Sequence, residues 1–152
     1  MILASLLLAV KLTPVTYDQW THELQSMHGR IVVVDYWATW CAPCVARFPH
    51  MVAMAKRAPD NVTYVTMSLD DRDEPGAAAR VLQFLKKNDA SMPNFLMNEV
   101  NPDAFEKLNL NGVPAVVIYD ASGKQRYRLT GDDPNHQFTD ADVERAVKAL
   151  AR

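Results

Sequence analysis

Cys41 and Cys44 are the only cysteines in the chain, separated by Ala42 and Pro43. A C-x-x-C pair supports three chemistries. It can shuttle between dithiol and disulfide and so carry two electrons. It can staple a fold. It can supply half of a tetrahedral zinc site. The staple is the weak reading, because so short a loop restricts the unfolded chain little. Zinc needs two more ligands. His22, His28, His50 and His136 are the available imidazoles, and no second C-x-x-C follows. In a strand-helix context the redox reading is preferred.

That context is present. Ile31 to Val34 is a continuous β-branched run, the pattern of a strand covered on both faces. Val45 to Lys56 reads as a helix. The sulfurs therefore fall at a strand-to-helix turn, Cys44 in the helix's first turn and Cys41 just ahead of it. A helix N-terminus carries a partial positive charge and unpaired N–H groups. A thiolate there is stabilised, which lowers a cysteine pKa from about 8.5 to about 3.5–7.5. Pro43 fixes φ and lacks a donor that the first turn would leave unused.

The elements around this turn can be read in order. Thr16-Tyr17-Asp18-Gln19 is a T-x-x-Q capping box, and Trp20, Leu24 and Met27 then share one helix face. His28-Gly29 stops that helix. After Pro59-Asp60-Asn61, residues Val62 to Leu69 read as a strand. Asp70 to Glu74 is read as a charged, solvated loop, without the spacing of a calcium loop. Val81, Leu82 and Leu85 give a third helix its apolar face. Asn94 to Met97 is a short strand, and Asn101-Pro102 opens a short helix with Asn as its cap. Ala115 to Tyr119 and Gln125 to Thr130 form a hairpin, and Thr139 caps a last helix carrying Val143, Val147 and Leu150. The order β-α-β-α-β-α-β-α-β-β-α predicts an α/β fold, a central mixed sheet with helices on both faces.

The 152 residues suit one domain, assigned to 14–152, preceded by an apolar segment, 1–13. Ile2 to Val10 is too short to span a bilayer as a helix, which takes about 20 residues. It has neither the charged start nor the A-x-A site of an export signal. A remnant export signal and an extra strand or short helix are the two readings. A net charge of −2 gives no field for nucleic acid.

Val33-Val34-Asp35-Tyr36-Trp37-Ala38-Thr39-Trp40-Cys41-Ala42-Pro43-Cys44 resembles the active-site strand and loop of the thioredoxin superfamily. Asp35 matches that family's buried acid, Pro49 the proline inside its active-site helix, and Gly112-Val113-Pro114-Ala115 the loop that carries a cis-proline. The resemblance runs from about Thr16 onward. A helix and strand between the third and fourth family strands resemble the TlpA/ResA branch, thiol-disulfide oxidoreductases that often work outside the cytoplasm. Much of that branch has an uncharged polar residue where this chain has Asp35.

The resemblance implies a thioredoxin-like fold and thiol-disulfide exchange. Cys41 attacks a substrate disulfide and Cys44 resolves the mixed disulfide. Asp35 accepts the proton of Cys44, directly or through one water, since burial in an apolar sheet raises a carboxyl pKa toward neutrality. Trp40, Ala42 and Pro43 offer contact surface, and a cis bond at Pro114 presents the backbone of Val113 to a bound chain as a pairing edge. Ala42-Pro43 lacks the His that more oxidising relatives place before the second cysteine, which points to a reductase. The expected partners are protein disulfides and an upstream thiol reductant. No cofactor or metal is implied, a membrane tether is left open, the oligomeric state defaults to monomer, and the compartment leans extracytoplasmic with a cytoplasmic one as the alternative.

Two rivals differ in class. A thiol peroxidase of the peroxiredoxin kind places Thr or Ser three residues before its reactive cysteine, where this chain has Ala38, with Thr39 one residue off. A copper-delivery protein of the same fold spaces its cysteines C-x-x-x-C and adds a distal His, for which His136 is the candidate.

Overall fold

The computed structural model describes residues 9–152. The apolar stretch Ile2 to Leu8 lies outside the described residues. The elements are β1 (Thr13–Val15), α1 (Tyr17–Ser26), β2 (Ile31–Trp37), α2 (Ala42–Lys56), β3 (Val62–Ser68), α3 (Ala77–Lys87), β4 (Asn94–Met97), α4 (Asn101–Lys107), β5 (Ala115–Tyr119), β6 (Gln125–Thr130) and α5 (Asp140–Leu150). The strands form one sheet in the order β1-β4-β3-β2-β5-β6. The pairings β1–β4, β4–β3 and β3–β2 are parallel, and β5 pairs antiparallel with both β2 and β6. This is the mixed sheet that the element order predicts.

β2 lies in the middle because its sequence can be buried on both faces. All seven of its residues are buried. Val32, Val34 and Tyr36 point into one apolar cluster with Trp20 of α1, Ala104 of α4 and Phe95 and Met97 of β4. Ile31 and Val33 point to the other face, against Met51 and Met54 of α2 and Val143 and Val147 of α5. Trp37 joins Phe48, Val52, Val81 and Leu85 on that second face. Strand side chains alternate, so Asp35 shares the face of Val33 and Trp37. The helices thus divide into α1 and α4 on one side and α2, α3 and α5 on the other.

Local sequence signals hold where their partners are close in the chain. Thr16 caps α1, and Gln19 returns the bond to the Thr16 N–H at 2.9 Å. Thr139 caps α5, and Asp142 completes that capping box. Three details differ from the sequence reading. β2 runs three residues past Val34, because the polar and aromatic residues that follow still pair with β3. The cap of α4 is Val100 in extended geometry, not Asn101, and it makes no side-chain capping bond. Thr13, counted with the N-terminal segment, belongs to β1, and Val10 and Leu12 pack against the cluster that holds the cysteines. Among the described residues no helix is long and apolar enough to cross a membrane.

Candidate active site

The C-terminal ends of β2 and β3 and the N-terminus of α2 meet at one end of the sheet, along its central strands. Trp37 ends β2, and the backbone turns through Ala38, Thr39 and Trp40 into α2. Cys41 is the N-cap of α2 and Cys44 lies in its first turn. The two are joined as a disulfide, with Cα atoms 5.2 Å apart. Cys41 Sγ also accepts a hydrogen bond from the Cys44 N–H at 3.3 Å. On reduction the Cys41 sulfur stays where the helix dipole and a free N–H favour an anion. Both cysteines are buried, while Ala42 and Pro43 beside them are exposed.

The aromatic residues separate by role. Trp37 is fully buried and packs against Phe48 at 4.6 Å and Phe84 at 4.9 Å between ring centroids, a floor beneath the disulfide. Trp40, adjacent to Cys41, is 56% exposed, which leaves its ring free to meet another surface. Pro49 lies inside α2. The Val113–Pro114 peptide bond is cis. Pro114 is buried, and Val113 packs against the cluster containing Cys41 and Cys44.

Asp35 is 4% exposed. Its backbone pairs with Thr66 on one side and Val116 on the other. Burial lifts its carboxyl up to about 6, with Arg47 opposing the rise and Asp140 adding to it. A carboxyl near 6 gives and takes a proton close to neutral pH. The structure thus brings Cys41, Cys44 and Val113 into one cluster, with Asp35 two residues before Trp37, the floor of that cluster.

One residue beside the site differs from its sequence expectation. Asp70 does not belong to a solvated loop: it is fully buried at the end of β3. Its carboxylate accepts the Thr39 N–H at 2.9 Å, the Ser68 hydroxyl at 2.7 Å and the Thr39 hydroxyl. Arg80 of α3 donates to the Thr39 hydroxyl at 3.3 Å and lies 3.9 Å from Asp70. Asp70 therefore ties down the loop two residues before Cys41. The available signal was its place directly after a strand that ends beside β2. The run of charges that follows it hid that signal.

The same geometry bears on the rivals. The Thr39 hydroxyl is committed to Asp70 and Arg80. His136 lines a cleft between β6 and α5 with Tyr127, Phe138 and Arg145, whereas the cysteines belong to the α2–α3 cluster.

Comparison with known proteins agrees with this architecture. A family model described as thioredoxin matches residues 11–97. The thiol-disulfide oxidoreductase ResA of Oceanobacillus iheyensis is 29% identical over 108 residues, which is 70% of this chain and 53% of that protein. A thiol:disulfide interchange protein DsbE homolog of Paracoccus denitrificans is 27% identical over 133 residues, 88% of this chain and 68% of its own length. The chain thus spans about half the length of the first relative and about two thirds of the second. The crystal structure of a secreted Mycobacterium tuberculosis disulfide oxidoreductase homologous to Escherichia coli DsbE superposes with a TM-score of 0.62 at 25% identity, covering 83% of this chain and 86% of that one.

Proposed function

Because the chain belongs to the thioredoxin family, we propose that it is a thiol-disulfide oxidoreductase that reduces disulfides in protein substrates. The observation that carries this reading is the Cys41–Cys44 pair at the start of α2, with one sulfur on the N-cap. In the reducing direction the Cys41 thiolate attacks a substrate disulfide. One substrate thiolate leaves and a Cys41–substrate disulfide forms. Cys44 then loses its proton to Asp35 and attacks Cys41 Sγ. The second substrate thiolate leaves, and the Cys41–Cys44 bond closes. Two electrons have moved from the protein to the substrate, and an upstream thiol reductant returns them.

Exposed Trp40, Ala42 and Pro43, with the Val113–Pro114 backbone, form the surface we assign to the substrate. An extended segment lying there would meet the open edge of the Val113 backbone and place its sulfur over Cys41. The absence of a His between Ala42 and Cys44 supports the reducing direction. The similarity to a solved disulfide oxidoreductase described as secreted supports an extracytoplasmic site of action. We take the working unit to be a monomer.

The test is a redox titration of the Cys41–Cys44 pair in dithiothreitol and glutathione buffers, followed by Trp40 fluorescence. A midpoint near about −270 mV supports a reductase. A midpoint near about −120 to −180 mV makes the protein an oxidant or isomerase and overturns the assigned direction. A pair with no reversible two-electron transition overturns the exchange activity itself.

A further inference from the structure

Asp35 does not face only carbon. On its side of the sheet lie α2 and α5: Met54 and Met51 of α2 cluster with Ile31 and Val33 of β2, and Arg47 precedes Met51 by one helical turn on the same stripe, as Asp35 follows Val33 on the same strand face. Arg47 stands three residues after Cys44, on the same face of α2. Its side chain is only 17% exposed. One guanidinium nitrogen meets Asp140 Oδ1 at 3.2 Å, and the guanidinium carbon lies 4.4 Å from the centre of the Phe138 ring. The Arg47 Nε is buried and has no partner among the described residues. Phe138 belongs to the same cluster as Val33, two residues before Asp35 on the same strand face, and Val116, the cross-strand partner of Asp35. Asp140 is the first residue of α5, where a helix dipole favours an anion. A surface ion pair would need none of this. Here an arginine gives up most of its hydration and leaves a donor unpaired to keep its charge inside the layer that covers Asp35.

We infer that Arg47 and Asp140 are positioning residues for proton transfer at Cys44: Arg47 holds Asp35 in its proton-accepting, charged form, and Asp140 moderates that hold. The inference rests on the reading of Asp35 as the acceptor of the Cys44 proton. It adds two residues, from α2 and α5, that touch neither sulfur. The charged and titratable groups around Asp35 are few. α2 contributes Arg47, Cys44 and, at the surface, His50, whose Nδ1 is 4.0 Å from Asp140. α5 contributes Asp140. β3 and β5 place Thr66 and Val116, neither of them titratable, beside it. The two charges act in opposite directions on the Asp35 carboxyl, Arg47 lowering its proton affinity and Asp140 raising it.

Opposite signs make the test sharp. The Asp35 carboxyl is followed by carbon-13 NMR from pH 4 to 9 in the oxidised protein, alongside Arg47→Met, Arg47→Lys and Asp140→Asn. The Arg47→Met midpoint moves above the wild-type value of about 6, and the Asp140→Asn midpoint moves below it. Arg47→Lys keeps the charge and stays near wild type. A merely structural role for the pair would shift Met and Lys variants alike. An unmoved midpoint in Arg47→Met, or the same direction of shift in Arg47→Met and Asp140→Asn, overturns the inference. The parent reading is tested separately with Asp35→Asn, by the pH profile of mixed-disulfide resolution with glutathione disulfide as probe. If that profile matches wild type, Asp35 is not the acceptor, whatever the midpoints do. If Asp35→Asn flattens the profile while the Arg47 and Asp140 midpoints stay put, only the tuning fails.

Discussion

Replacing Asp35 by Asn should stabilise the protein at neutral pH, by an amount the structure sets. Its carboxyl titrates at about 6 in the folded state against 3.8 for an ordinary aspartate. The gap is about 2 pH units, and each unit is worth about 1.4 kcal/mol, so the cost is about 3 kcal/mol. The sign follows from proton counting. Between pH 3.8 and 6 the folded state holds a proton that the unfolded state has lost. Stability from this residue is therefore full below the unfolded pKa and falls as pH rises through the folded one. Above about pH 7 the whole penalty is present. Asn is neutral throughout and carries none of it. Urea unfolding of the oxidised wild type and of Asp35→Asn, at steps from pH 3.5 to 8, gives the comparison. The variant's advantage should be small at the acid end, grow between about pH 4 and 6, and level off near about 3 kcal/mol. In thermal melts at pH 7 that is a gain of about 6–12 °C for a domain of this size. The same variant should resolve mixed disulfides more slowly. A stability gap that is equal at pH 4 and pH 7, or a variant less stable at pH 7, would refute the reasoning. It would mean that Asp35 is not paying for its burial in the charged form.

Three other outcomes follow from particular contacts. Cys44→Ser should accumulate a stable mixed disulfide with a substrate, visible by mass spectrometry, while Cys41→Ser forms none; trapping through Cys44 instead would reverse the assigned roles. Asp70→Ala leaves the Thr39 N–H and the Ser68 hydroxyl without their acceptor, at about 1–3 kcal/mol for each buried group. Urea unfolding should register that loss, and amide exchange at Thr39 should quicken; unchanged exchange would mean that the loop is held by something else. Gly123→Ala should destabilise on two counts, because Gly123 has φ +85° and an added Cβ would stand 2.1 Å from His28 Nε2. In the double variant with His28→Ala the clash goes but the strained backbone stays, so rescue should be partial, and complete rescue would refute the backbone component.

What could be read from the chain alone sorts by distance along it. The C-x-x-C pair and the turn that holds it depend on neighbours, as do the Thr16–Gln19 and Thr139–Asp142 caps, and these were legible. So was the central place of β2, because an unbroken Ile-Val-Val-Val run has no polar side to show to water. Asp70 was not legible: its main partner, Thr39, is 31 residues away, and a run of five charged residues looks like a solvated loop until the strand ends are brought together. Arg47 and Asp140 are 93 residues apart. On a helical pattern Arg47 is indistinguishable from a surface arginine. The element order puts a strand ahead of the first helix, but its place at Thr13–Val15 was not legible, because it is three residues long and contains a proline, which argues against a strand except at an edge. Asn101 is the better capping side chain, but Val100 holds the extended backbone that a cap requires.

The edge position of β1 has a consequence for how the molecule is made. Thr13 pairs with Phe95, so the first strand must wait 82 residues for its partner. At about 5–20 residues per second of synthesis, that is about 4 to 16 s. During that time β2, α2 and β3 can already assemble, since their residues are complete by Ser68. The waiting strand offers little for a stray chain to pair with. It is short, and Pro14 at its centre has no N–H to donate. The feature that made β1 hard to place in the sequence is thus what lets a newborn chain carry an unpaired segment without sticking to its neighbours on the ribosome.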